Sequence, residues 1–150
     1  MHAAITAAAG FLIAVLWFDL MFDVQVIAHR REPQLPDDVV ASIATYYRRV
    51  TTDASPMGRL VALVMVALLA LLVWQAAGGD VASWVSTASL GAAGAAIVLA
   101  LGRVVPAAVR LGSRRDSPAA QSVLARAIFR DHVLFLALMV TVLVVQLVGP

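Results

Sequence analysis

The chain has 150 residues, 62% hydrophobic and 13% charged, with a mean hydropathy of +0.92. Soluble domains run nearer ~45–50% apolar and ~25% charged, so a water-soluble fold of this length would lack the polar side chains to cover itself, and a polytopic membrane protein is implied. The absence of cysteine excludes disulfides, thiolate nucleophiles, iron–sulfur clusters and Cys-type zinc sites, and a net charge of +2 carried by Arg alone, without interleaved aromatic runs, does not make a nucleic-acid surface.

Four apolar stretches, residues 3–26, 60–76, 81–105 and 132–148, each approach the ~20 residues needed to cross a bilayer as a helix. Helices are required because an open sheet leaves its backbone unsatisfied in lipid. The first stretch has no basic leader and is long for a signal-peptide core, so it is expected to remain as a span. Its uninterrupted apolar run, residues 3–18, is 16 residues and covers only about 24 Å of a ~30 Å hydrocarbon core. The span must therefore continue past Asp19, which places that carboxylate within the membrane. Asp23 follows one turn later on the same face. Two carboxylates so placed repel each other unless a proton or a cation lies between them.

After a polar loop, residues 29–38, an amphipathic segment covers residues 38–51. In it Val39, Val40, Ile43, Tyr46, Tyr47 and Val50 recur at helical spacing, with Ser42, Thr45, Arg48 and Arg49 between them. The pattern predicts a short helix in the headgroup region, apolar face down, started by Pro36 and a capping Asp37 or Asp38. The alternative is a helix packed on a partner. Asp53-Ala54-Ser55-Pro56 turns the chain into the second span, which is apolar on every side and so expected to face lipid. Gly78-Gly79-Asp80 makes a tight connection to the third, flanked by Trp74 and Trp84, whose indoles favour an interface. In the third span Thr87, Gly91 and Ala95 fall at four-residue spacing, and Gly10 and Ala14 do so in the first. That spacing predicts spans one and three as close neighbours. Pro106 is expected to end or kink the third span. Ser117-Pro118 is a helix start, and the helix that follows is expected to run unbroken into span four.

All 11 Arg lie in or beside the two long loops, residues 29–58 and 106–131. The positive-inside rule places those loops in the cytoplasm and both termini outside. Most of these Arg are expected to set orientation and to meet anionic headgroups. Arg without Lys, beside abundant Ala and Val, points to a bacterial plasma (inner) membrane. The expected fold is one all-α integral membrane domain over residues 1–150. It is a four-transmembrane-helix bundle with one or two short interfacial amphipathic helices on the cytoplasmic side.

The polar groups converging on that side are Asp19, Asp23, Arg59, Arg103, Arg130, Asp131 and His132, with His29 just beyond the first span. The first reading is a salt-bridge layer, in which Arg59, Arg103 or Arg130 neutralises Asp19 and Asp23. The second is a proton- or ion-coupled site on Asp19. The third is a metal or redox site drawing on Asp19, Asp23, His29, Asp131 and His132. This last reading lacks the Glu-x-x-His and His-Glu-x-x-His spacings of known helical metal sites. Adjacent Asp131 and His132 also point about 100° apart on a helix, so at most one faces the core squarely.

No nucleophile triad, phosphate loop or nucleotide fingerprint is present. The leading expectation is a small multi-pass protein acting without catalysis or cofactor. It would work through helix and loop contacts with a second copy or another membrane protein, using Tyr46, Tyr47, Arg48 and Arg49. The alternatives are a metal-dependent oxidoreductase for a lipophilic substrate at the cytoplasmic-side Asp/His site, and a transporter component using Asp19. The layout resembles that of small four-span bacterial membrane proteins, anthrone-oxygenase-like ones among them. A likeness of layout implies neither an activity nor a site residue.

Overall fold

The computed structural model describes residues 1–53, 55–79 and 81–149, and the described residues contain helices and turns but no strand. Helix α1 (His2–Asp23) ends in a 3-10 turn (Val24–Ile27). Helix α2 (Asp37–Arg48) passes into a π-turn (Arg49–Asp53) that leads to α3 (Ser55–Gly78). Helix α4 (Ser83–Leu99), a second π-turn (Ala100–Val104) and α5 (Val105–Ser113) form one continuous run, and α6 (Pro118–Val148) closes the chain. Four runs are long and apolar enough to cross a membrane: His2–Ile27, Pro56–Gly78, Ser83–Ser113 and Pro118–Val148. Of the expected turns, Ala54 and Asp80 lie outside the described residues, while Gly79 takes the left-handed backbone, φ +68°, that a chain reversal there requires.

Pro106 does not end the third span. The helix widens into the π-turn just before it and continues to Ser113, so the proline sits near the start of the new α segment, where its missing N–H is tolerated. The start of α6 is as expected, with the Ser117 hydroxyl accepting from Ala120 N at 3.3 Å and Pro118 in the first position. Pro36 caps α2 without any side-chain hydrogen bond, and Asp37 and Asp38 lie in its first turn, where their charge favours the helix N-terminus.

The spans form a ring in which α1 packs on α6, α6 on α4, α4 on α3, and α3 back on α1. Spans one and three therefore lie across a diagonal, and the expected close pair is not formed. The reason is that α4 carries small residues on two faces. Thr87, Gly91 and Ala95 are exposed, whereas Ser86, Ser89, Ala93 and Ala96 are buried at alternating three- and four-residue spacing. Helix α3 buries only a narrow stripe, Leu68, Leu72 and Gln75, in keeping with its uniformly apolar sequence. At the end of the bundle away from the Arg-rich loops, Gln75 and Gln146 exchange amide hydrogen bonds at 3.0 and 2.8 Å, and Gln146 donates to Ser89 at 3.0 Å. Three helices are thus joined through buried polar groups whose hydrogen-bonding capacity is met internally.

At the Arg-rich end the apolar face of α2 is covered by the chain's own α1, α5 and α6. Val40, Ile43, Ala44 and Tyr47 are buried there, so this face is not left for a headgroup layer or a partner. Gly112 on α5 allows the two backbones to meet, since a Cβ at that position would stand 2.8 Å from Arg48 N. The Arg114 side chain reaches Asp37 at 2.6 Å, fastening the end of α5 to the start of α2. Arg126 donates to the carbonyls of His29 (3.1 Å) and Glu32 (2.7 Å), and Ser122 accepts from Leu35 N (2.9 Å). These Arg thus tie the loops to the bundle, beyond any role in orientation.

Candidate functional site

The buried stripe of α1, formed by Ile5, Ala9, Leu12 and Leu16, continues at helical spacing into Asp19 and Asp23. Both carboxylates therefore face the bundle interior. Asp23 is fully sealed, while the Asp19 side chain keeps 16% of its surface accessible. Their partners come from α2 and α6. Tyr47 donates its hydroxyl to Asp23 Oδ1 at 2.7 Å, and His132 Nδ1 lies 2.7 Å from Asp23 Oδ2. Tyr46 donates to Asp19 Oδ1 at 2.6 Å, and its ring stacks on Phe22 at 4.1 Å. The remaining ring nitrogen, His132 Nε2, stands 3.9 Å from Asp19 Oδ2.

The hydrogen-bond roles follow from the charge that Asp23 carries. An ionised carboxylate only accepts, so Nδ1 of His132 carries a proton toward Asp23. The Tyr47 hydroxyl proton also goes to Asp23, so at 3.3 Å from Nδ1 its oxygen acts as a second, weaker acceptor of the same imidazole proton. His132 is then held as a carboxylate-oriented imidazole whose Nε2 faces Asp19. The ring occupies the place between two carboxyl groups, which repel each other whenever both are ionised. Burial first, and then the neighbouring carboxylates, push the phenols of Tyr46 and Tyr47 far above their usual range. Both therefore stay protonated donors.

Beneath this network lies an apolar cavity of about 220 Å³. Leu12 and Leu16 of α1, Val61 and Met65 of α3, Ala96 and Ala100 of the third span, and Phe135 and Met139 of α6 line its walls. Asp19, Tyr46, Tyr47 and His132 form its polar end. Both π-turns contribute to the lining, Val50 and Thr51 from one and Ala100, Leu101 and Val104 from the other. Such wide turns recur at functional sites because they re-aim side chains without ending the helix. Of the lining residues, Met57 (50%), Leu101 (60%) and Val105 (47%) are exposed, and these mark a mouth between the start of α3 and the π-turn before α5.

The structure brings Asp19, Asp23 and His132 together and leaves the other expected members apart. Arg103 pairs with Asp131 at 3.2 Å, and Arg130 lies 3.9 Å from the same carboxylate. Arg59 is exposed and, among the described residues, pairs with no carboxylate. His29 binds Glu32 at 2.9 Å, away from the cavity. The expected Arg-to-Asp19 and Arg-to-Asp23 bridges are thus replaced by tyrosine and histidine contacts. The Arg lie on outward faces of their helices, and a neutral phenol enters an apolar interior at lower desolvation cost than a guanidinium. Among the described residues no three His, Asp or Glu side chains are arranged to hold a metal ion. Asp131 and His132 diverge as helix geometry requires, one toward Arg103 and the other toward the cavity.

Tyr46 and Tyr47 were expected on the face of α2 that meets lipid or a partner, and they turn out to be the donors that complete the site. Their adjacency on an amphipathic helix held a signal, since a buried phenol needs a polar partner and the unpaired carboxylates of α1 needed donors. Comparison of the chain with protein-family models, with curated proteins and with solved structures finds no match of any kind. The functional reading accordingly rests on the geometry of the site.

Proposed function

We propose that this is a multi-pass protein of a bacterial plasma membrane, with its Arg-rich loops cytoplasmic and its termini outside. In this reading its working site is the cavity, which receives a lipophilic molecule and presents that molecule's polar end to proton exchange with Asp19 and His132. One observation carries the proposal: a single cavity has apolar walls and ends on a carboxylate and a carboxylate-oriented imidazole. Small-molecule sites combine an apolar lining with a few convergent polar groups in this manner. The 31 residues of α6 span about 46 Å, more than the ~30 Å hydrocarbon layer. If its last 20 or so residues fill that layer, His132 lies about one turn inside the cytoplasmic boundary, within reach of lipid-dissolved molecules.

An apolar diazirine photoprobe added to the protein in lipid nanodiscs tests the reading. Met139 lines the cavity and is 2% exposed, so lipid cannot reach it directly, whereas Leu63 is 64% exposed on the outside of α3. Labelling of Met139 that Gly58→Leu suppresses at the mouth, with Leu63 labelled as before, is the expected result. A wild-type protein labelled at Leu63 and not at Met139 overturns it. Proton-coupled movement is a second reading, favoured by the accessible oxygen of Asp19. It predicts a proton flux in liposomes that Asp19→Asn abolishes.

A further inference from the structure

The polar end of the cavity is specific about what it can accept. Asp19 Oδ2 and His132 Nε2 face each other at 3.9 Å, too far for a direct hydrogen bond. They are close enough for one oxygen atom to sit between them and bond to both. The His132 side chain is 5% exposed, so this nitrogen has little but the cavity to address. The two phenols cannot serve a ligand as donors, because each spends its proton on a carboxylate.

We propose that the cavity binds a neutral, hydroxyl-bearing lipophile, its oxygen seated between Asp19 Oδ2 and His132 Nε2 and its hydrocarbon body directed toward Met139. This deepens the reading above and rests on it. A hydroxyl donates once and accepts as well. It can donate to Asp19 while accepting from a protonated Nε2, or donate to Nε2 when that nitrogen is bare. A carboxylate or phosphate head only accepts and would stand against Asp19 with Asp23 behind it, a like-charge arrangement in an apolar setting. An ammonium head would be drawn to the same carboxylates, but it brings three donors and no acceptor, so it cannot accept from Nε2–H. At least one of its N–H groups would point at apolar wall, which is costly for a buried charge. Size agrees with the chemistry. A dry cavity of ~150 Å³ takes up benzene, so about 220 Å³ admits a ring or chain body somewhat larger than that. Any longer tail has a route out past Met57 and Leu101 into the hydrocarbon.

Four photoprobes of one chain length separate the possibilities: an alkyl diazirine alcohol of octanol length, the matching carboxylic acid, the matching amine, and the methyl ether of the alcohol. Each is added to the intact protein in nanodiscs, and incorporation at Met139 is read by mass spectrometry against incorporation at Leu63. The alcohol is expected to label Met139 roughly tenfold more than the ether, the effect of one hydrogen bond to a charged group. Asp19→Asn and His132→Gln should each bring the alcohol down toward the ether without changing labelling by the ether. Acid or amine labelling equal to or above the alcohol overturns the head-group assignment while leaving the cavity reading intact, as does an ether that labels as well as the alcohol. Failure of all four to reach Met139, with Leu63 labelled, overturns the broader reading as well.

Discussion

Replacing Asp23 by Asn, and separately Asp19 by Asn, distinguishes the carboxylate that builds the site from the one that works in it. Asp23 accepts from Tyr47 and from His132 at 2.7 Å each, and no part of it is accessible. An amide in its place keeps one acceptor oxygen and turns an NH₂ group toward the other donor. The charge-assisted bond to the donor that meets the NH₂ group, worth about 1.5–3 kcal/mol, is lost while Nδ1 keeps its proton, and the other falls to the roughly 0.5–1.5 kcal/mol of a neutral one. Side-chain bonds within membranes measure lower, on average about 0.6 kcal/mol. A loss of about 3 kcal/mol is therefore expected for Asp23→Asn. Asp19→Asn should cost about 1 kcal/mol or less, because its amide oxygen can still accept from Tyr46 while the other position faces the cavity. Unfolding of each variant by SDS in mixed micelles, followed by helical circular dichroism, gives both numbers. An Asp19→Asn variant that loses as much as Asp23→Asn would refute the division of roles.

Further outcomes follow from other contacts. The chain has only two tyrosines, both in the site, and their folded pKa values are raised. Their contribution to stability is complete below the ~10 of a free phenol and declines as pH rises above it. A near-ultraviolet titration should accordingly show no tyrosinate while the helices persist, and an early tyrosinate band would contradict the buried pairing. Gly112→Ala sets a methyl group 2.8 Å from Arg48 N and should cost about 1–3 kcal/mol by thermal melting. Gly10→Ala, with nothing within 4 Å of the added methyl, should melt no lower than wild type. Gln146→Leu removes the partner of both Gln75 and Ser89 and should lower stability by about 1–2 kcal/mol. Adding Gln75→Leu to it should restore part of that loss, since an apolar pair leaves no orphaned amide.

The four spans were legible because each is a long apolar run and lipid leaves a backbone no other choice. The shared face of Asp19 and Asp23 was legible from their spacing alone, as was the start of α6 from Ser117-Pro118. What could not be read were contacts between helices. Small residues lie on two faces of α4, so the spacing of Thr87, Gly91 and Ala95 could not say which face is covered. Arg59, Arg103 and Arg130 sit at the right depth for Asp19 and Asp23 but on helix faces that point away, and depth is all that a sequence reports. Tyr46 and Tyr47 could be placed on the apolar face of α2 from their spacing. That this face turns toward α1 and α6 depends on α5 lying beneath it, a long-range arrangement with no local signature.

The Gly112 crossing has a mechanical consequence. Where backbones touch without an intervening side chain, rotamer changes cannot absorb a displacement, and α2 and α5 must move as one body. Ala108 of α5 lines the cavity, and the Arg48 side chain at the far edge of α2 is 68% exposed. A ligand that shifts α5 therefore moves the outer surface of α2 by a similar distance. The occupancy of the cavity becomes legible to anything that touches Arg48 and Arg49.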